Sequence, residues 1–460
     1  MKPTLVILVV GLSPSMIGRN TPNLLSIAKK GGMVPLSTIT PAVTCSVQST
    51  LLTGLMPSDH GIVGNGWYFR DLSEVLLWRQ PNQLVNGEKI WEAGKRKNSN
   101  FTCAKMFWWY NMYSKADWSA TPRPMYPADG RKIPDHYTYP NELRDELDEN
   151  FGKFPLFKFW GPLADITSSE WITKATNFVM LKYNPTLTLT YLPHLDYNLQ
   201  RLGPNLENPI IKEDLNEIDA QCGILIETAK KQKREIIIVS EYGITPVDDA
   251  IHINKFLRRE GFINVRNEMG KDVFDPGASR AFAMVDHQIA HIYIKNKKDI
   301  PVVKNIITGT KGIDKILEET DKKTYGLNHP RSGELILISE PSKWFSYYYW
   351  LDDARAPDYA KTVDIHRKPG YDPVELFFDP DLSFPKLSSF FKLLRRKLGF
   401  RNLLDVISLK DTKIVKGSHG RVTDAPNHGP LVITTKSELL IKKKLKATDF
   451  KKFVLDHIFS

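Results

Sequence analysis

The sequence has little cysteine: Cys45, Cys103 and Cys222 are three in 460 residues, an odd number at wide spacing. That excludes a disulfide framework and a thiolate zinc knuckle. Long apolar runs are also missing. The longest, Leu5 to Leu12, is strand-length and far short of the roughly 18 residues that span a bilayer. Met1-Lys2 lies ahead of that run, no small-residue cleavage site follows it, and Gly11 opens a turn where a signal peptide would still be apolar, so the expected location is cytoplasmic. Gly (28) and Pro (30) are near average, which excludes collagen-like and low-complexity chains, and 42% hydrophobic content excludes disorder. Acidic residues are in deficit in one region. Residues 381–460 carry 17 Lys or Arg against 7 Asp or Glu, so ten of the net +11 charges sit in this tail. The near-neutral remainder argues against a nucleic-acid groove and leaves a membrane or an anionic small molecule as the partner of the basic part.

What is present alternates strand and helix. Residues 4–10 form a continuous β-branched run, the pattern of a strand buried on both faces. Thr21-Pro22 then supplies a helix start and Gly31-Gly32 its end. Leu187 to Leu192 and Glu235 to Ser240 read as further strands, with a helix near 213–231 between them. This predicts an α/β fold with a mostly parallel sheet between helices, formed by residues 1–245 and 411–460. Residues 246–410, with strands such as Ala290 to Ile294 and an aromatic run from Trp344 to Trp350, read as an inserted smaller α+β cap. The aromatic run, like Phe107 to Asn111, is expected to pack in a core or lid.

In open α/β sheets, ligands bind beyond the carboxyl ends of the strands. Those ends read Gly11-Leu12-Ser13, His194-Leu195-Asp196 and Glu241-Tyr242-Gly243. A carboxylate just past a buried strand is costly without a metal or cation, unless it caps the next helix. Pro41 to Gly54 reads as a loop entering a helix, with Thr44 at its start. A hydroxyl there is either a plain N-cap or a nucleophile facing the helix's unpaired N–H groups.

The order of Thr44 to Gly54, Pro57 to Asn65, Asp196, Ser240-Glu241-Tyr242-Gly243 and Gly417-Ser418-His419-Gly420 strongly resembles the alkaline phosphatase superfamily over most of the chain. The nearest branch is the nucleotide pyrophosphatase/phosphodiesterase and phosphonoacetate hydrolase group. Within it the chain looks most like the proteins found in bacterial gene clusters beside a membrane prenyltransferase. The resemblance implies an alkaline-phosphatase-like core and a hydrolase in which Thr44 attacks phosphorus and Asn65 clamps a phosphoryl oxygen. It also implies two zinc ions that neutralise the transferring group, with Asp196 and His419 among their ligands.

The sequence departs from that pattern at the metals. Val10-Gly11 stands where the family has Asp-Gly, Gln200 replaces a histidine four residues after Asp196, and Glu241-Tyr242 replaces Asp-His. Three arrangements stay open. Thr44, Asp196, Gln200, Glu241 and His419 hold a divalent ion (Zn, Mg or Mn), one rather than two. Alternatively, histidines outside the pattern are recruited, with His194 and His252 first and His287, His291 and His329 behind them. In the third, the site is silent and binds a phosphorylated intermediate or serves as a scaffold. Arg280, His329 and Arg331 sit in turn-rich loops suited to the remote end of a substrate, or to ion pairs that hold the insertion to the core. The segment Asp364 to Pro373 is a further candidate pocket edge.

Residues 386–401 place Leu387, Phe390, Phe391, Leu394 and Leu398 at helical spacing with basic residues between them. The plain expectation is an apolar face packed on the domain. The alternative is peripheral contact with an anionic membrane.

Overall fold

The computed structural model describes residues 1–400 and 402–460, except the side chains of Lys386, Arg396 and Lys397. Arg401, the last residue of the basic amphipathic segment, lies outside the described residues. The first apolar run forms the strand Thr4–Val9, buried at every position. It lies near the centre of a nine-stranded sheet and pairs in parallel with Leu187–Leu192 on one side and Glu235–Val239 on the other. The register sets Val9 against Leu192 and Leu8 against Val239, so three strand ends open onto one edge of the sheet. Cys103–Met106 and Trp118–Pro122 extend the parallel set, while Leu431–Thr434 returns antiparallel beside Glu235–Val239. Helices cover both faces: Pro22–Lys30, Thr167–Tyr183 and Pro209–Lys231 pack together, and Phe450–Phe459 packs against Thr44–Thr53 and the two central strands.

A second, four-stranded antiparallel sheet runs in the order Ala281–Asp286, Ile289–Ile294, Leu335–Ser339, Ile313–Leu317. Its core also takes in Cys45, Ile62, Val63, Trp67 and Trp109, so it grips the segment that follows Thr44. Trp344 to Trp350 are buried, most of them in this core. The run is packing, as the sequence suggests. At the sheet edge Gly243 is required by closeness: a Cβ there would lie 1.7 Å from the carbonyl oxygen of His428.

The tail segment forms the helix Pro385–Lys397. Its apolar stripe does not pack on the domain: Leu387, Phe390, Phe391, Leu394 and Leu398 are all exposed. The expectation of a packed face is therefore corrected. Among the described residues, no helix is long and apolar enough to cross a membrane.

Candidate active site

The helix Thr44–Thr53 is buried at all ten residues despite its polar sequence. Two hydroxyls are satisfied within the helix, Ser49 Oγ donating to the Cys45 carbonyl and Thr53 Oγ1 to the Ser49 carbonyl, each one turn back. Gly54, at φ +76°, closes the helix by donating its N–H to the Thr50 carbonyl. The N-cap is Val43, without a side-chain cap. Thr44 is therefore the first helical residue, and its hydroxyl is not spent on capping.

Thr44 lies on the floor of a cavity of about 1260 Å³, together with Tyr191, Asp196, Tyr242, His287 and His419. Its Oγ1 is 3.2 Å from the Tyr242 hydroxyl. Tyr242 stacks flat on His419 at 3.6 Å, His419 on His287 at 3.7 Å, and His287 on Tyr371 at 3.5 Å. Four rings thus join the main sheet's edge to the second sheet.

Each ionisable group in this region is deprived of water. Burial pushes Asp196 up to about 7, against the Gln200 hydrogen bond and the nearby Tyr242 hydroxyl, which pull it down. Burial likewise raises Glu241 well above the carboxylate range, with the Gln48 hydrogen bond opposing and the Asp196 charge adding. His419 and His287 are held well below the ordinary imidazole value, both chiefly by burial. His419 Nδ1 lies 2.9 Å from the Ala42 carbonyl and so carries the proton, which leaves Nε2 as a bare acceptor. That Nε2 and Asp196 Oδ1 face each other at 4.0 Å, beyond hydrogen-bond reach, and neither has another partner among the described residues.

Several sequence expectations take a different form. Asp196 and Glu241 do not cap helices: Asp196 Oδ2 accepts from Gln200 Nε2 at 2.8 Å, and Glu241 Oε1 accepts from Gln48 Nε2 at 2.6 Å. Gln200 is turned with its amide nitrogen toward Asp196, and its oxygen accepts from Tyr371 at 2.9 Å. Glu241 is fully buried and is not among the described residues lining the cavity. Asn65 also lies behind the wall. Its oxygen accepts from the Cys45 N–H and its amide donates to Asp286, so it braces the helix start.

Of the histidines considered for recruitment, His287 lines the cavity with Thr44 and packs on His419, whereas His194, His252, His291 and His329 are not among the described residues lining it. His194 Nε2 is 3.2 Å from Asp214 and 3.1 Å from Glu217, whose carboxylates raise its pKa against burial. Among the described residues this is the one group of three His, Cys or carboxylate residues with ligand atoms close enough for a shared cation. His252 stacks on Tyr348, and His291 Nε2 lies 3.0 Å from the Val63 carbonyl. The proposed substrate residues are structural. Arg280 pairs with Asp299, Arg331 donates to the carbonyls of Gly61 and Leu84, and His329 accepts from the Arg331 N–H. None of the three lines the cavity among its described residues.

Two groups escaped the sequence reading. Asp286 ends a fully buried strand, accepts from the Asn65 N–H at 2.7 Å and lies 2.8 Å from His287 Nδ1; burial pushes it up to about 6. Tyr371 closes the ring stack. The strand-end rule used on the main sheet would have found Asp286 if applied to the second one, and Tyr371 lies in the loop singled out as a pocket edge.

The profile described as type I phosphodiesterase/nucleotide pyrophosphatase matches residues 4–372. The chain belongs to that family. It is 26% identical over 298 residues to an uncharacterized pyrophosphatase/phosphodiesterase of Schizosaccharomyces pombe, an overlap of 62% of this chain and 53% of the relative. The chain spans about half the length of the curated relatives it matches. Its structure is similar to murine ectonucleotide pyrophosphatase/phosphodiesterase 5, an inactive variant in complex with AMP, with a TM-score of 0.59 at 13% identity over 100% of this chain and 95% of that one. Phosphonoacetate hydrolase from Sinorhizobium meliloti 1021, in complex with phosphonoformate, matches with a TM-score of 0.60 at 13% identity over 99% and 96%. These likenesses give this family member the alkaline-phosphatase-like α/β fold.

Proposed function

We propose that this family member cleaves a phosphodiester, pyrophosphate or related phosphoryl bond with Thr44 as the nucleophile. The observation that carries the reading is the placement of Thr44 Oγ1: uncapped, at a helix start, on the cavity floor and beside Tyr242. The helix N-terminus favours the alkoxide and the anionic phosphoryl group that meets it. The proton leaves Thr44 toward Glu241, which lies close enough for the Thr44 hydroxyl to lower its pKa, whereas Tyr242, kept a neutral phenol by burial, is a hydrogen-bond partner and not the base. A carboxyl raised by burial is basic enough to take that proton, which is how a buried acid serves as a general base. A phosphorylated small molecule fits as substrate, in keeping with the AMP bound to the murine relative.

Enzymes of this family typically use divalent metal ions. The two-ion arrangement does not fit these residues, because Val10 is apolar and the Gln200 oxygen and Glu241 are engaged elsewhere. One ion fits: the unpartnered Asp196 Oδ1 and His419 Nε2, both on cavity-lining residues, would hold it beside Thr44. Such an ion would supply Lewis-acid stabilisation of phosphoryl charge and a lowered hydroxyl pKa.

A silent, phosphate-binding member is the second reading, favoured by the Gln200–Asp196 and Gln48–Glu241 pairs, which tie one oxygen of each carboxylate without a metal. Assay of the purified chain with phosphodiester, pyrophosphate and phosphonate substrates under Zn²⁺, Mg²⁺ or Mn²⁺ separates the two. Turnover that falls about a thousandfold in Thr44→Ala supports the enzyme, since losing a nucleophile leaves only binding and electrostatics. Equal inertness of both proteins with no retained metal supports the binder.

A further inference from the structure

The exposed tail helix stands at the mouth of the cavity that holds Thr44. Ser389 and Leu393 of the helix, and Leu403 and Leu404 just after it, line that cavity. Around the same opening Leu72, Tyr113, Tyr126 and Phe157 line the cavity and are also exposed. The helix adds an outward stripe: Phe390 is 58% exposed, Phe391 53% and Leu398 67%. Residues 385–401 contain six Lys or Arg and no Asp or Glu. A large apolar surface ringed by charge of one sign marks an interaction site, and an exposed amphipathic helix with that charge matches an anionic lipid surface.

The cavity points the same way. At about 1260 Å³ it exceeds the roughly 300–1,000 Å³ of ordinary small-molecule sites. Away from the Thr44 floor its walls include Trp78, Leu156, Phe159, Trp160 and Phe378. A phosphate ester with an alkyl or other long apolar chain would fill a cavity of that size and cover these walls.

We propose that the helix Pro385–Lys397 docks the protein on an anionic bilayer and sets the cavity mouth against it. The phosphorylated substrate then carries an apolar chain, drawn from that bilayer into the cavity with its phosphoryl group at Thr44. The substrate half rests on the reading of Thr44 as the phosphoryl site, whereas the docking half does not.

The test is cosedimentation with vesicles of phosphatidylcholine alone or mixed with phosphatidylglycerol. Wild type pellets with the mixed vesicles at low salt, is released by high salt, and stays in the supernatant with phosphatidylcholine. The double variant Phe390→Asp/Phe391→Asp stays in the supernatant throughout with an unchanged melting temperature, and Arg395→Glu binds about fivefold more weakly. Wild type that ignores both vesicle types, or a double variant that binds as wild type does, overturns the docking half. So does self-association that the double variant abolishes in the absence of vesicle binding. For the substrate half, calorimetry with the Thr44→Ala protein compares dodecyl phosphate with ethyl phosphate, so no turnover is required. Dodecyl phosphate binding at least about a hundredfold tighter supports an apolar chain in the cavity; equal affinities overturn it whatever the activity assays show.

Discussion

The cavity floor and the tail helix are opposites in how they treat unfavourable groups. At the floor, charge is buried and nearly every polar atom is tied: Glu241 to Gln48, Asp196 to Gln200, Gln200 to Tyr371, Asp286 to Asn65. At the helix, apolar side chains are left in water with basic neighbours. Asp196 Oδ1, Glu241 Oε2 and His419 Nε2 are among the atoms there without a partner among the described residues, and leaving a buried polar group unsatisfied costs stability. The helix's loose surface is apolar. One region is organised against solvent and the other is incomplete in solvent.

Substitutions should therefore be expensive near the floor and nearly free on the helix. The largest cost is expected at Lys368, which is buried and paired with Asp372 at 2.7 Å and Glu375 at 2.8 Å just before Tyr371. Lys368→Met strands two buried carboxylates and should cost about 3–5 kcal/mol, read by urea denaturation. Gln48→Ala removes the donor to Glu241 and the acceptor of the Trp109 N–H, for a loss of about 2–3 kcal/mol by the same measurement.

An acid-side effect follows. Nine of the eleven histidines are held below their ordinary value, with burial the first cause in each. His60 is the cleanest case, pulled from 6.5 to about 3, with its Nδ1 accepting from the Ile62 N–H and its Nε2 2.9 Å from the Thr50 hydroxyl. The folded state then binds fewer protons than the unfolded one between those values. Stability is full above 6.5 and falls as pH drops, by about 1.4 kcal/mol per pH unit for this residue. Raised carboxylates such as Asp196 and Asp286 act in the opposite sense over part of that range, so the comparison is made between proteins. Melting temperatures from pH 7 to pH 4 should fall less steeply in His60→Gln than in wild type. The smallest effect belongs to the helix: Leu387→Ser should stay within about 0.5 kcal/mol of wild type.

The sheet was legible because Thr4–Val9 and Glu235–Val239 are nearly continuous apolar runs rich in β-branched residues, and the three strand ends followed from the rule that ligands gather there. Thr44, Asp196 and His419 line one cavity, with Asp196 and His419 4.0 Å apart. What local pattern could not show was pairing over long separations. Nothing near Asn65 announces Asp286, 221 residues on, and nothing near Gln200 announces Tyr371, 171 residues on. Arg280 and Arg331 illustrate the converse. A cation in a turn-rich loop reads alike whether it awaits a phosphate or, as here, holds Asp299 or a pair of carbonyls. The tail helix was legible as an amphipathic helix, but which side its apolar stripe faces depends on how the rest of the domain fills the space beside it.

The account stands on Thr44 taking the phosphoryl group. Turnover quenched in acid, followed by mass spectrometry of the peptide that carries residues 41–54, tests that directly. The account predicts the added mass of one phosphoryl group on Thr44, absent in Thr44→Ala. Turnover that proceeds with this peptide unmodified, or that survives Thr44→Ala, would contradict it.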